Sequence, residues 1–126
     1  MKILLAIALG GAIGSLGRYL VTSGIGRWIG HGFPYGTLTV NVLGSFAMGV
    51  LIEYMAQNWS PSPEIRAFLV VGILGAFTTF STFSLDTVTL YERGALIPMA
   101  GYMIASVVLS VIGLLGGLAL MRSVLA

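Results

Sequence analysis

The segment GAFTTFSTFSLD, residues 75–86, places five hydroxyl residues and three phenylalanines within twelve positions of an otherwise oily chain. Its surroundings decide the solvent. Of 126 residues, 57% are hydrophobic and only 8% charged, and mean hydropathy is +1.02, whereas a water-soluble domain carries about 25% charged residues. Such a composition belongs in a bilayer. A helix rising about 1.5 Å per residue needs about 20 residues to cross about 30 Å of hydrocarbon. The chain therefore accommodates one all-α, four-span membrane domain over residues 1–126 and leaves no room for a second.

Working outward from residues 75–86, the apolar runs place spans at 3–21, 36–55, 65–90 and 96–121. Between the first two lies SGIGRWIGHGFPY, a glycine-rich turn region with Trp28 and Tyr35 as interface anchors. Between the second and third, AQNWSPSPE offers Ser60 or Ser62 as a helix cap beside prolines. The third loop is built around YERG. The Lys2-then-apolar start, with Ala6-Ile7-Ala8, mimics a secretory leader. The apolar run continues to Val21, however, which favours a first span. No cysteine is present, so disulfides and thiolate metal sites are excluded. The net charge of +2 reads as flanking charge for membrane orientation, not as a nucleic-acid surface.

Four spans put both termini and the second loop on one side. Lys2, Arg66 and Arg122 fall on that side, and Arg18, Arg27 and Arg93 on the other. Cytoplasmic loops ordinarily carry the excess of Lys and Arg, and this tie removes the bias. A chain without bias can insert both ways, which makes an antiparallel homodimer of dual topology its natural assembly.

Turning each residue by about 100° along an ideal helix reveals non-lipid faces. On the fourth span Tyr102, Ser106, Ser110, Gly113 and Gly117 form one polar, small-residue stripe. On the second, Thr37, Asn41, Gly44 and Ser45 share an arc, and on the first Gly10, Gly14 and Gly17 form a ridge suited to close helix packing. A carboxamide such as Asn41 is costly at membrane depth unless it finds a partner or a hydrated path.

The third span exceeds the length of a straight crossing, so it can contain a break. Hydroxyls at 78, 79, 81 and 82 compete for backbone hydrogen bonds, and Gly72 and Gly75 lower helix propensity. An opening near residues 75–80 would free carbonyls for a cation and present the next helix N-terminus to an anion. An unbroken helix with back-bonded hydroxyls is an equal alternative from these residues alone. Phe80 and Phe83 repeat at helical spacing. Spacing favours core packing for them, but ring edges are electropositive and would hold a small anion weakly enough to let it leave.

The segments GGAIGSLGRY (residues 10–19), GTLTVNVLG (36–44) and GILGAFTTFSTFSLD (72–86) resemble the signatures of the Fluc-type fluoride channel family, a likeness that covers all four spans. The resemblance implies a dual-topology antiparallel dimer with two fluoride pores at the subunit interface, passively exporting cytoplasmic fluoride across the inner membrane and so reducing its toxicity. It implies pore roles for Asn41, Phe80 and Phe83, and a hydroxyl track of Tyr102, Ser106 and Ser110, with Thr37 and Ser81 placed beside them. It further implies a structural Na⁺ at the dimer axis, held by the backbone carbonyls of Gly75 and Thr78. Arg18 matches the GRY motif as a vestibule or structural charge. Asp86 stands where the family often has glutamate, and Ala76 replaces a frequent glycine. Asp86, one methylene shorter than glutamate, takes a vestibule or structural role. Its bond to a neighbouring helix is the point that this departure leaves open.

An enzyme is not expected, since four acids and one loop histidine (His31) supply no nucleophile–base or carboxylate pair. Glu53, Glu64 and Glu92 lie near predicted span ends and read as solvated. One competing reading is a proton-coupled small multidrug exporter, which needs an acid in the first span, where this chain has Gly14. The other is a non-transporting assembly subunit, in which the polar stripes only join helices.

Overall fold

The structure is a computed structural model and describes the whole chain, Met1–Ala126. Four helical spans are long and apolar enough to cross a membrane: Lys2–Ile29, Tyr35–Gln57, Pro63–Glu92 and Leu96–Leu125. We label the first two α1 and α2. The third comprises α3 (Pro63–Arg66), a π-helical segment (Ala67–Leu74), α4 (Gly75–Phe77) and, after an interruption at Thr78 and Thr79, α5 (Phe80–Glu92). The fourth is α6 (Leu96–Leu125).

The expected turn after Val21 is helix instead, and α1 continues to Ile29. Gly24 and Gly26 lower helix propensity by about 1 kcal/mol each, but unpaired backbone groups in lipid cost several kcal/mol, so the helix runs on. It stops at Gly30, whose φ of 100° lies in the left-handed region that glycine enters without strain. Ser62 caps α3 as expected, its Oγ accepting from the Ile65 N–H at 3.2 Å, with Pro63 in the first turn. On the opposite side of the bundle Arg93 donates to the Gly32 carbonyl at 3.0 Å and ties the first loop to the third.

Two close helix pairings organise the bundle. The Gly10 and Gly14 ridge of α1 lies against the π segment, where a β-carbon on Gly14 would collide with the Ile73 carbonyl. The second pairing is α2 on α6, with Gly49 against the Leu114 carbonyl and Gly117 against the Phe46 carbonyl. Small residues admit such backbone approach where lipid removes any hydrophobic drive for helices to associate. Gly49→Val therefore overpacks the α2–α6 seam, a change that costs about 1–3 kcal/mol or more. Its apparent melting temperature in detergent should fall by several degrees, whereas Gly116→Ala, which meets open space, should leave it unchanged; equal melting of the two variants would refute this seam.

Glu53 departs from the sequence reading. It is buried rather than solvated, 7% exposed, and its Oε1 accepts from the Arg122 Nε of α6 and from Gln57 Nε2 at 3.3 Å. A carboxylate inside a span is tolerable only when paired. Arg18 is engaged as well, donating to a backbone carbonyl. Setting both arginines aside leaves Lys2 and Arg66 on one side against Arg27 and Arg93 on the other, so the tie in charge persists.

Candidate functional site: the helix break and its groove

The interruption of the third span is built by threonines. Thr78 (φ −90°, ψ 159°) and Thr79 (φ −153°, ψ 123°) are both extended. Thr78 Oγ1 donates back to the Leu74 carbonyl at 3.0 Å and closes the first half-helix, while Thr79 Oγ1 accepts from the Thr82 N–H at 3.1 Å and caps α5. One hydroxyl ends a helix and the next begins another. The break falls within the expected window, although Gly75 itself remains helical, with φ −61°.

Two residues from other helices hold the opened backbone. Asn41 of α2 reads both polar groups of Thr79, its Oδ1 accepting from the Thr79 N–H at 2.7 Å and its Nδ2 donating to the Thr79 carbonyl at 3.0 Å. Arg18 of α1 donates through Nε to the Ala76 carbonyl at 3.0 Å, setting a cation at the C-terminal end of the half-helix, where its dipole is negative. Arg18 is thus anchored at the break, 58 residues from its partner in sequence.

Two carbonyls lose their helical donors in this arrangement. The Thr79 N–H, which would close a turn on the Gly75 carbonyl, is given to Asn41, and the Thr82 N–H, which would close on the Thr78 carbonyl, is given to Thr79 Oγ1. Hard carbonyl oxygens of this kind suit a small hard cation. Gly75 is exposed on the single chain, so its carbonyl is not enclosed by the subunit's own helices. Carbonyls of this chemistry are compatible with the Na⁺ that the family resemblance implies.

Beside the break lies an open groove of about 380 Å³ between α2, α5 and α6. It gathers Asn41, Phe80, Phe83, Ser106 and Ser110, five of the predicted pore residues. Asn41 keeps one amide hydrogen free, since Nδ2 carries two and Thr79 takes one. Ser106 is 6% exposed and its Oγ has no partner. Burying a hydroxyl unpaired costs about 1–3 kcal/mol, so Ser106 Oγ carries hydrogen-bonding capacity that the subunit's own groups leave unused. The first-turn N–H groups and positive dipole end of α5 lie at the same groove, with Thr79 and Phe80 on its wall. Full charges are absent from the lining. An anion there would meet neutral polar groups, phenyl rings and aliphatic side chains, and no full charge.

Tyr102 stands beyond one end of the groove. It is fully buried, its ring 5.2 Å from Phe83 and 5.6 Å edge-on to Phe33, and its hydroxyl donates to Asp86 Oδ2 at 3.0 Å. Asp86 thus bonds to a neighbouring helix despite its shorter side chain. Thr37, also buried, stands beside the same tyrosine hydroxyl. Ser81 is not brought into the groove. It is exposed, with its hydroxyl 3.3 Å from Thr79 Oγ1. Phe80 packs at 5.4 Å on Phe83 but leaves 77% of its surface exposed. Sequence reasoning did not place Ser45 or Met48 in the site, although both line the groove; Ser45 shares the Asn41 arc, and that was the available signal.

A family profile described as "CrcB-like protein, Camphor Resistance (CrcB)" matches residues 5–118. The chain is 56% identical over 126 residues to the "Fluoride-specific ion channel FluC" of Rhodospirillum centenum, covering 100% of both chains. It is 54% identical over 119 residues to the protein of the same name from Nitrobacter winogradskyi, covering 94% of each. Against that of Agrobacterium fabrum it is 54% identical over 117 residues, covering 93% of this chain and 94% of the relative.

Proposed function

The chain belongs to the CrcB-like family, and from that premise we propose that it is a fluoride-specific ion channel, a multi-pass protein of the bacterial inner membrane that lets fluoride leave the cytoplasm passively and so relieves its toxicity. It is not an enzyme. The observation that carries this reading is the groove that joins Asn41, Phe80 and Phe83 to the buried, unpartnered Ser106 hydroxyl. Hydrogen bonds to a charged partner contribute about 1.5–3 kcal/mol each, and removing all water from an ion costs tens. Fluoride therefore crosses with several donors and some retained water. Neutral donors and ring edges hold it without the grip of an arginine, and release stays fast.

The working unit is an antiparallel homodimer with two pores at its interface. Support comes from the tie in Lys and Arg between the two sides and from the 77% exposed Phe80 ring, which a second copy would cover. Antiparallel two-fold symmetry would bring the Gly75 and Thr78 carbonyls of both subunits together around one structural Na⁺. If so, replacing sodium by a bulky organic cation should lower dimer stability in detergent and slow fluoride flux; unchanged elution and flux in sodium-free buffer would remove the ion from the scheme.

The direct test is efflux from liposomes containing the purified protein, followed with a fluoride electrode. Efflux should begin once a potassium ionophore cancels the membrane potential and should be indifferent to an imposed proton gradient. Vesicles that stay tight to fluoride would defeat the channel reading. Strict dependence on a proton gradient would favour an exporter.

A further inference from the structure

We propose that Ser45 is an additional anion-binding residue, which carries fluoride along the segment of the groove where α6 offers no donor. The inference rests on the channel reading above and deepens it. The α2–α6 seam supplies the register. A β-carbon on Gly113 would lie 3.2 Å from the Val42 carbonyl, and Gly117 sits against the Phe46 carbonyl. The two helices therefore run parallel: Gly113 lies between Val42 and Phe46, Gly117 between Phe46 and Val50, and Gly49 between Leu114 and Leu118. This puts residues 113–117 of α6 level with residues 44–48 of α2.

That α6 segment reads GLLGG. Its hydroxyl stripe has ended at Ser110, and no side chain between 113 and 117 can donate a hydrogen bond. Ser45 lies on α2 at this level, one helical turn past Asn41, and it lines the same groove. Leu114, level with Ser45 on α6, lines the groove without a donor, and one turn further on α2 the wall is Met48. Ser45 is thus the last hydroxyl on the α2 side before Met48.

Its bonding state agrees. Thr39 on the same helix turns its hydroxyl back to the Tyr35 carbonyl at 2.7 Å, and Thr78, Ser84, Thr87 and Thr89 also donate to the carbonyl four residues back. Such back-bonding is the usual refuge of a hydroxyl in lipid. Ser45 makes no such bond, and neither does its groove neighbour Ser106, which is buried without any partner. A hydroxyl that forgoes the refuge beside an unpartnered donor faces a guest.

The test uses the whole chain in liposomes. Ser45→Ala should slow fluoride efflux about tenfold, the lower end of what one hydrogen bond to a charged group supplies, and should raise the fluoride concentration at which flux saturates. Ser45→Thr, which keeps the hydroxyl, should conduct near the unmodified rate. Because the chain has no cysteine, Ser45→Cys introduces a single, nearly isosteric thiol. A water-soluble, thiol-specific methanethiosulfonate should block its flux, and fluoride should slow that reaction; the unmodified chain should not respond. This arm decides the matter even if the alanine variant fails to fold, since a merely structural serine gives no fluoride protection. Full flux with unchanged saturation in Ser45→Ala, or a cysteine variant whose flux the reagent leaves intact, overturns the assignment while leaving the channel reading in place. Absence of efflux from the unmodified chain defeats the channel reading itself.

Discussion

Asn41→Asp is expected to cut fluoride efflux at least about a hundredfold. The aspartate can still accept from the Thr79 N–H as Asn41 Oδ1 does at 2.7 Å, so the break keeps one of its two ties. What it loses is the amide donor to the Thr79 carbonyl and the second amide hydrogen that faces the groove. What it gains is a negative charge in the path. Two like charges about 4 Å apart repel by about 4 kcal/mol at an effective dielectric near 20, and a hundredfold change needs only about 2.7 kcal/mol. Asn41→Ala should separate the structural part of this effect. It removes both ties to Thr79, leaving two backbone groups unpaired at about 1–3 kcal/mol each, and should lower the detergent melting temperature more than Asn41→Asp does. Flux in Asn41→Asp within twofold of the unmodified channel would show that this carboxamide serves the break alone.

The second large effect is expected at Phe80. Phe80→Leu should reduce fluoride efflux to the background of empty vesicles with little change in melting temperature. The ring is 77% exposed on one subunit. If lipid covered it, exchange for another large apolar side chain would cost almost nothing, because the acyl chains are as apolar as leucine. If it lines the path, the exchange removes an electropositive ring edge that no aliphatic group can replace. Phe83→Leu should also abolish flux, but it should cost stability too, since the Phe83 ring packs at 5.2 Å on the fully buried Tyr102. Unaltered efflux in Phe80→Leu would return that ring to a lipid-facing role.

These variants bear on how much of the site could be read beforehand. The hydroxyl-rich segment 75–86 showed that the third span could open, because threonine competes locally for backbone bonds. It could not show that the helix does open. That required Asn41, 38 residues away, to accept the freed Thr79 N–H. Arg18 was legible as a charge near a span end, yet its bond to the Ala76 carbonyl, and so its place at the break, follows only from the seating of α1 on the first half-helix. Glu53 was misread as solvated for the same reason, since its partner Arg122 lies 69 positions on. The end of α1 was misplaced because glycine was weighed as it behaves in water, and Gly24 and Gly26 remain helical in this span.

The sequence by itself determined the solvent, the number of spans, the family and five side chains of the groove, Asn41, Phe80, Phe83, Ser106 and Ser110, because hydropathy, helical periodicity and motif spacing are local properties that need no partner. The tertiary structure alone decided which polar groups satisfy one another: Asn41 with Thr79, Arg18 with Ala76, Asp86 with Tyr102 and Glu53 with Arg122. In a medium that offers almost no water to an unpaired donor or charge, those long-range pairings decide where the helix breaks. They also leave hydroxyls such as that of Ser106 without a partner inside the subunit, as the proposed path for the ion requires.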